Sequence, residues 1–231
     1  MKIFLLCIPV LLILNSCSTD SDVDQAVASK NYDSASTSQS VLPENLANKM
    51  DLTGKLYFEQ LHQYSQRNQL PKSVGELSEE ISIISKSIGN ISLSDNSVIH
   101  FTDEIIESIL LDPDNIMIAM VTNSTLSQNV KDSLINFLQT LNNQRALDFK
   151  FNYDFIVDYE NEIIADSTIV EDEKDTLLTV TSISRYSLYS EVKRRDRDWE
   201  TSVGSKIKSK TRFSNGEMAI VLIIALLPQI I

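Results

Sequence analysis

The chain has 231 residues, 42% of them apolar and 23% charged, with five glycines and five prolines. That composition excludes a disordered tail, a collagen and a polytopic membrane protein, and offers too little glycine for a sandwich of many tight turns. The net charge of −12 argues against a nucleic-acid partner. Both cysteines, Cys7 and Cys17, fall in the first seventeen residues, which excludes disulfides, cysteine nucleophiles and thiolate metal sites from the body.

The chain opens with Lys2 and an apolar run from Ile3 to Leu14, followed by Asn15, Ser16 and Cys17. A single cation, a short apolar stretch and small or polar residues make the three-part pattern of a signal peptide, too short to span a bilayer stably. Leu14-Asn15-Ser16-Cys17 resembles the lipobox of bacterial lipoproteins. The resemblance implies that residues 1–16 are removed and that Cys17 becomes the lipidated first residue. Two or three acyl chains, at ~0.8 kcal/mol per buried methylene, make such an anchor effectively permanent. Ser18 stands where an inner-membrane retention signal has aspartate, and the acids Asp20, Asp22 and Asp24 resemble the export signals of surface lipoproteins in the Bacteroidota. The expected location is therefore the outer membrane, facing either the periplasm or the exterior, with the membrane engaged through the N-terminal lipid. Residues 17–42 hold almost no large apolar side chain and read as a flexible tether. The triplet Asp20, Asp22, Asp24 lacks the glycine and the final carboxylate of a calcium loop, so it reads as a solvated acidic stretch.

Residues 43–231 read as one helical domain. Pro43-Glu44 suits a helix start, and Leu46, Met50, Tyr57, Leu61 and Tyr64 recur near helical spacing until Leu70-Pro71. Gly54 weakens its middle. Ser73-Val74-Gly75-Glu76 is a capping box, and Leu77, Ile81, Ile84 and Ile88 follow as one helical stripe. Gly89-Asn90 is a stop signal. Thr102-Asp103-Glu104 opens a short helix, and Asp112-Pro113 ends it and caps another that carries Ile116, Met117, Met120 and Val121. Thr125-Leu126-Ser127-Gln128 forms a second capping box, with Val130, Leu134, Phe137, Leu138 and Leu141 as the buried stripe before Asn142-Asn143.

Residues 148–159 fit two periods: Phe149, Phe151, Tyr153 and Phe155 alternate as in a strand, while Phe151, Phe155 and Tyr159 keep helical spacing. Residues 176–187 are rich in β-branched and hydroxyl side chains. The expected fold is mainly α, an irregular bundle of six to eight helices. The alternative is an α+β fold with a small antiparallel hairpin built from 148–159 and 176–187. The acidic run Glu171-Asp172-Glu173 suits a helix N-terminus and favours the helical reading.

Charge is uneven toward the C-terminus. Residues 193–212 form a basic arm with eight cationic and three acidic side chains in an otherwise acidic chain. It either lies against the acidic helices, or presents Arg194, Arg195, Arg197 and Trp199 as an anion or partner site, or meets lipid head groups. Residues 217–231 form an apolar segment that carries no charge after Glu217. As a helix, Met218–Ile231 reaches roughly 21 Å, short of a ~30 Å hydrocarbon core. A buried central helix is the expectation, and an interfacial or pore-forming segment the rival.

No metal, cofactor or catalytic site is predicted. His62 and His100 have no ligand spacing, and GxSxG, HExxH, Walker and GxGxxG patterns are missing. Glu160 and Glu162 read as a solvated face. Asp33-Ser34-Ala35, Asp132-Ser133-Leu134, Asp166-Ser167-Thr168 and Asp175-Thr176-Leu177 resemble a short O-glycosylation motif of Bacteroidota envelope proteins, and only the first falls in the expected tether. The functional expectation is a lipid-anchored, non-enzymatic module that binds an envelope protein or a surface polymer. The alternative is a membrane-active or toxin-like protein that uses the basic arm and the apolar segment.

Overall fold

A computed structural model describes residues 41–68, 71–92, 102–202, 213–214 and 216–231; for 87–92 and 197–202 only the backbone is described. The signal sequence, Cys17 and nearly all of the tether lie outside these residues. Residues 40–231 form one compact unit. Its helices are α1 (Asp51–Arg67), α2 (Val74–Ser92), α3 (Asp103–Leu111), α4 (Pro113–Thr122), α5 (Gln128–Gln144), α6 (Phe149–Ala165), α7 (Glu171–Ser202) and α8 (Glu217–Ile230). No strand occurs among the described residues. The unit is the mainly α, irregular bundle expected, and the hairpin alternative falls: 149–165 and 171–202 are both helices.

Two helices organise the rest. α7 packs against α1, α6 and α8, while α8 is enclosed by α7, α2, α3 and α4. In α8 every residue from Met218 to Leu227 is buried, so the apolar segment is the packed centre of the unit. It continues past Pro228, and the Ile231 N–H reaches the Leu227 carbonyl at 3.0 Å. Proline within the last turn removes one ladder bond without stopping the helix. Among the described residues no helix is long and apolar enough to cross a membrane.

The caps at 73–76 and 112–113 form as read. Ser73 Oγ accepts the Glu76 N–H at 3.2 Å, and Glu76 Oε2 reaches back to the Lys72 N–H at 2.5 Å. Asp112 Oδ1 accepts the Asn115 N–H at 3.3 Å, with Pro113 at the first helical position. Two starts differ from expectation. The first helix begins at Asp51, not Pro43, and Leu46 is 95% exposed rather than part of a stripe. Residues 43–50 turn instead, because their polar groups are used elsewhere. Asn48 Oδ1 takes the Met50 N–H at 2.7 Å, Asp51 Oδ1 takes the Asn45 N–H at 3.1 Å, and both asparagine amides reach Glu160. α5 begins at Gln128, not after Thr125, because Ser127 gives its N–H and hydroxyl to the Glu173 carboxylate at 2.5 and 3.0 Å.

α6 buries Asn152, Ile156, Glu160 and Ile163 rather than the stripe led by Phe151, which is 52% exposed. Phe155 and Tyr159 flank that face and stack on Phe137 of α5, with ring centroids 5.5 and 4.5 Å away.

Candidate functional site

α7 is buried on all sides from Leu177 to Tyr189, although the stretch contains eight hydroxyl or charged residues: Thr179, Thr181, Ser182, Ser184, Arg185, Ser187 and, as phenols, Tyr186 and Tyr189. Small hydroxyls fit because they return their protons to the helix's own carbonyls. Thr179 Oγ1 donates to Asp175 O at 2.7 Å and Ser184 Oγ to Val180 O at 2.8 Å. Their small volume also lets α1 approach closely. The Gly54 N–H donates to Ser182 Oγ at 3.1 Å, and a Cβ at Gly54 would stand 2.2 Å from that oxygen.

Arg185 is the centre of the first polar cluster. Its Nε lies 3.1 Å from Glu160 Oε1 and its Nη2 lies 2.7 Å from Asp51 Oδ1; Arg185 and Glu160 are both wholly buried. Asn45 and Asn48 donate to the two Glu160 oxygens at 2.6 Å each, Arg185 Nη1 donates to the Pro43 carbonyl, and the Tyr186 hydroxyl donates to Asp51 Oδ2 at 3.2 Å. Burial, then the Asp51 charge, raises the Tyr186 phenol above its ordinary value. Tyr153 adds a hydrogen bond to the Glu44 carbonyl at 2.8 Å. Both Glu160 oxygens and both Asp51 oxygens thereby have partners. The cluster straps the entry segment 43–48 across α6 and α7, and beside it Glu44 Oε2 is buried without a hydrogen-bond partner. Glu160, expected on a solvated face, is at its heart, while Glu162 is exposed on the other side of α6.

A second cluster closes the far side of α7. Glu191 Oε2 accepts the Gly216 N–H at 2.9 Å and Oε1 the Ala219 N–H at 3.1 Å, so a buried carboxylate caps the positive end of α8. Gly216 supports this turn with φ of 75°, and a Cβ there would meet the Arg145 carbonyl oxygen at 2.3 Å. Arg194 Nη2 pairs with Glu191 Oε1 at 2.8 Å, and its Nη1 reaches Met218 Sδ at 3.0 Å.

Beside Arg194 a cavity of about 460 Å³ opens between α1, α2, α7 and α8. Phe58, Leu61, Met218 and Leu222 supply its apolar walls, His62 and Lys193 are exposed at it, and Arg194 is half-buried. At its floor is Glu80, 3% exposed, whose Oε2 has no hydrogen-bond partner. Burial pushes the Glu80 carboxyl up to about 7, with the Arg194 charge pulling weakly the other way. Ser187, also in the wall, donates to the Tyr57 hydroxyl at 3.1 Å, and burial holds that phenol above its ordinary value. Volume, apolar lining and one uncompensated polar group are the features of a small-molecule site. They do not form a hydrolytic constellation.

The residues singled out in the sequence do not assemble into one surface. Arg194 turns inward as described. Arg195 is exposed beside Arg145, Phe149 and Gly216, at a crevice of about 10 Å³ that holds no more than a water. Arg197 and Trp199 belong to α7 by their backbone, and their side chains lie outside the described residues, as do Lys206 to Arg212 and His100. His62 is exposed, stacks on Phe58 at 5.9 Å and lies 2.9 Å from Gln66 Nε2. Among the described residues no group of three or more His, Cys, Asp or Glu is placed to hold a metal ion. Glu80 was missed, yet it left a signal: it falls three residues after Leu77 and four before Ile84, a carboxylate inside an apolar stripe. No protein-family model, curated protein or solved structure matches the chain.

Proposed function

We propose that this chain is a lipid-anchored protein of the bacterial cell envelope, held at the outer membrane through Cys17, whose helical unit is a non-enzymatic binding module. The cavity between α1, α2, α7 and α8 carries the binding half of the reading: it is roomy, mostly apolar, and ends on a buried carboxyl oxygen without a partner. The resemblance of Leu14-Asn15-Ser16-Cys17 to a lipobox supports the anchor. On this reading residues 17–42 link the anchor to the helical unit, whose entry segment 43–48 is held by the Arg185 cluster.

Two measurements test it. Metabolic labelling with palmitate and membrane fractionation are expected to place an acylated chain in the outer membrane and to release it when Cys17→Ala is made; an unmodified thiol on a soluble product sinks the anchor. A neutral apolar dye such as N-phenyl-1-naphthylamine is expected to bind the native chain at a single site and to lose that site in Ser190→Trp, which puts an indole into the cavity from a half-buried residue of its lining. Equal dye binding by both proteins rejects the module.

The second reading, a membrane-active protein, rests on the basic arm preceding the apolar segment. It requires α8 to leave the core in which Met218 to Leu227 are buried. Deleting residues 217–231 separates the two readings. Loss of cooperative unfolding fits a core helix; a folded product that no longer leaks liposomes fits membrane action.

A further inference from the structure

We infer that the cavity receives a small, uncharged and largely apolar molecule bearing a hydroxyl group, and that this hydroxyl pairs with Glu80. The inference rests on the binding-module reading and names the ligand's chemistry.

The floor fixes the need for a polar partner. Glu80 is 97% buried among apolar neighbours, and its Oε2 is unpaired. A buried carboxyl oxygen without a donor forfeits a hydrogen bond that water supplied in the unfolded chain. The opposite cavity wall offers no compensation, since Leu61 and Leu222 are apolar and Ser187 spends its proton on Tyr57.

The rim fixes the ligand's charge. Lys193 sits 5.2 Å over the Tyr189 ring, and Arg194 is paired with Glu191. A cationic ligand in the cavity stands beside both of these cations. An anionic ligand that reaches the floor sets its charge against Glu80, with Glu191 close by in the same wall. A neutral molecule meets neither penalty.

Glu80 also selects among neutral head groups. Its carboxyl is poised near neutrality, so both protonation states are populated around pH 7. A hydroxyl donates to the carboxylate and accepts from the acid, and so serves both. An ether accepts only, and fails once the carboxylate dominates. The cavity volume of about 460 Å³ lies in the lower half of the range for small-molecule sites, which suits a substituted phenol or a medium-length alcohol.

The test uses four probes of one shape: 4-ethylphenol, 4-ethylanisole, 4-ethylbenzylamine and 4-ethylbenzoate. Each is titrated calorimetrically at pH 8 into the full chain in lipid nanodiscs, with empty nanodiscs as the blank. 4-Ethylphenol is expected to saturate one site at least about tenfold more tightly than the other three. In Glu80→Met the phenol and the anisole should fall within about threefold of each other, and in Glu80→Gln, whose amide carbonyl still accepts, part of the preference should persist. Ser190→Trp should abolish binding of all four.

Equal affinity for phenol and anisole in the native chain overturns the role of Glu80. So does a preference that survives Glu80→Met, and tightest binding of the amine or the benzoate overturns the uncharged ligand. In each of these cases loss of binding in Ser190→Trp leaves the binding module standing. Saturable binding of none of the probes overturns the inference alone when the naphthylamine dye still binds, and both readings when it does not.

Discussion

α7 and α8 lie against each other and are both buried, but by opposite means. α8 does it with Met, Ala, Val, Ile and Leu alone, so each side chain gains from leaving water and none needs a partner. α7 carries Thr, Ser, Arg and Tyr into the interior, and each had to find a hydrogen bond there. The first strategy tolerates change in proportion to volume. The second fails in units of whole interactions, because removing one partner strands another in a medium that cannot solvate it. Glu80 stands between them: a carboxyl on the apolar stripe of α2, lining the cavity with α7 and α8, whose Oε2 has no partner.

The largest expected effect is at Arg185. Arg185→Ala leaves Glu160 buried without its counter-charge, and should cost about 3–5 kcal/mol in urea denaturation or prevent folding altogether. The double change Arg185→Met with Glu160→Met turns this part of α7 into something closer to α8. It should recover much of that loss, since a packed apolar pair often matches a buried ion pair. A double variant no more stable than Arg185→Ala would show that the amide contacts of Asn45 and Asn48, not the ion pair, hold the cluster.

On the apolar side, Ile224→Ala in α8 should cost about 2–5 kcal/mol, and Ile224→Val about 0.5–1.5 kcal/mol, in the same denaturation series. A graded response of this kind is the signature of volume. If alanine and valine lower stability equally, α8 is held by something other than packing.

Glu80 gives a pH test whose sign is opposite to that of a paired carboxylate. Its folded value of about 7 lies above the ordinary 4.5, so the folded state binds the proton more tightly. The stability that Glu80 contributes is therefore fully present below pH 4.5, declines as the pH rises from there through 7, and is gone above. The full difference is on the order of 3 kcal/mol. Glu80→Gln removes the titration. Relative to the native chain it should be more stable at pH 8 by roughly 2 kcal/mol, with the advantage shrinking toward pH 5. Parallel stability curves for the two proteins between pH 5 and 8 would place Glu80 in contact with water.

The same contrast explains what could be read from the sequence. α8 was legible because an unbroken apolar run without charge has few places to go but a core. α2 to α5 were legible because their apolar residues fall on one face and polar caps mark several of their ends. α7 was harder to read, since a helix buried all round shows no amphipathic period and its Thr and Ser also allowed a strand; the acidic start Glu171-Asp172-Glu173 favoured the helix that forms. Glu160 was misplaced because Glu162, two residues away, is indeed exposed, and local composition cannot tell which of the two faces Arg185. The cavity was illegible as a whole. It needs Phe58, Glu80, Ser187 and Leu222 from four helices, and the only hint within one of them was a glutamate where the stripe called for an apolar residue.

The smallest effect separates helix propensity from packing at the contact between α1 and α7. In an exposed helix, Gly54→Ala would stabilise by roughly 1 kcal/mol. Here the new Cβ would stand 2.2 Å from Ser182 Oγ, 2.6 Å from a Tyr186 ring carbon and 2.7 Å from the Ser182 carbonyl oxygen. The hydroxyl can rotate away, but the carbonyl is backbone, so the helices must separate. That separation lengthens the Gly54 N–H bond to Ser182 and disturbs Tyr186, which holds Asp51 beside Arg185. Gly54→Ala should therefore destabilise, by about 1–3 kcal/mol. Adding Ser182→Gly clears one of the three contacts and leaves the carbonyl, so it should relieve only part of the cost. A stabilised Gly54→Ala protein would mean that α1 and α7 do not approach this closely, and that the hydroxyl-lined face of α7 has another purpose.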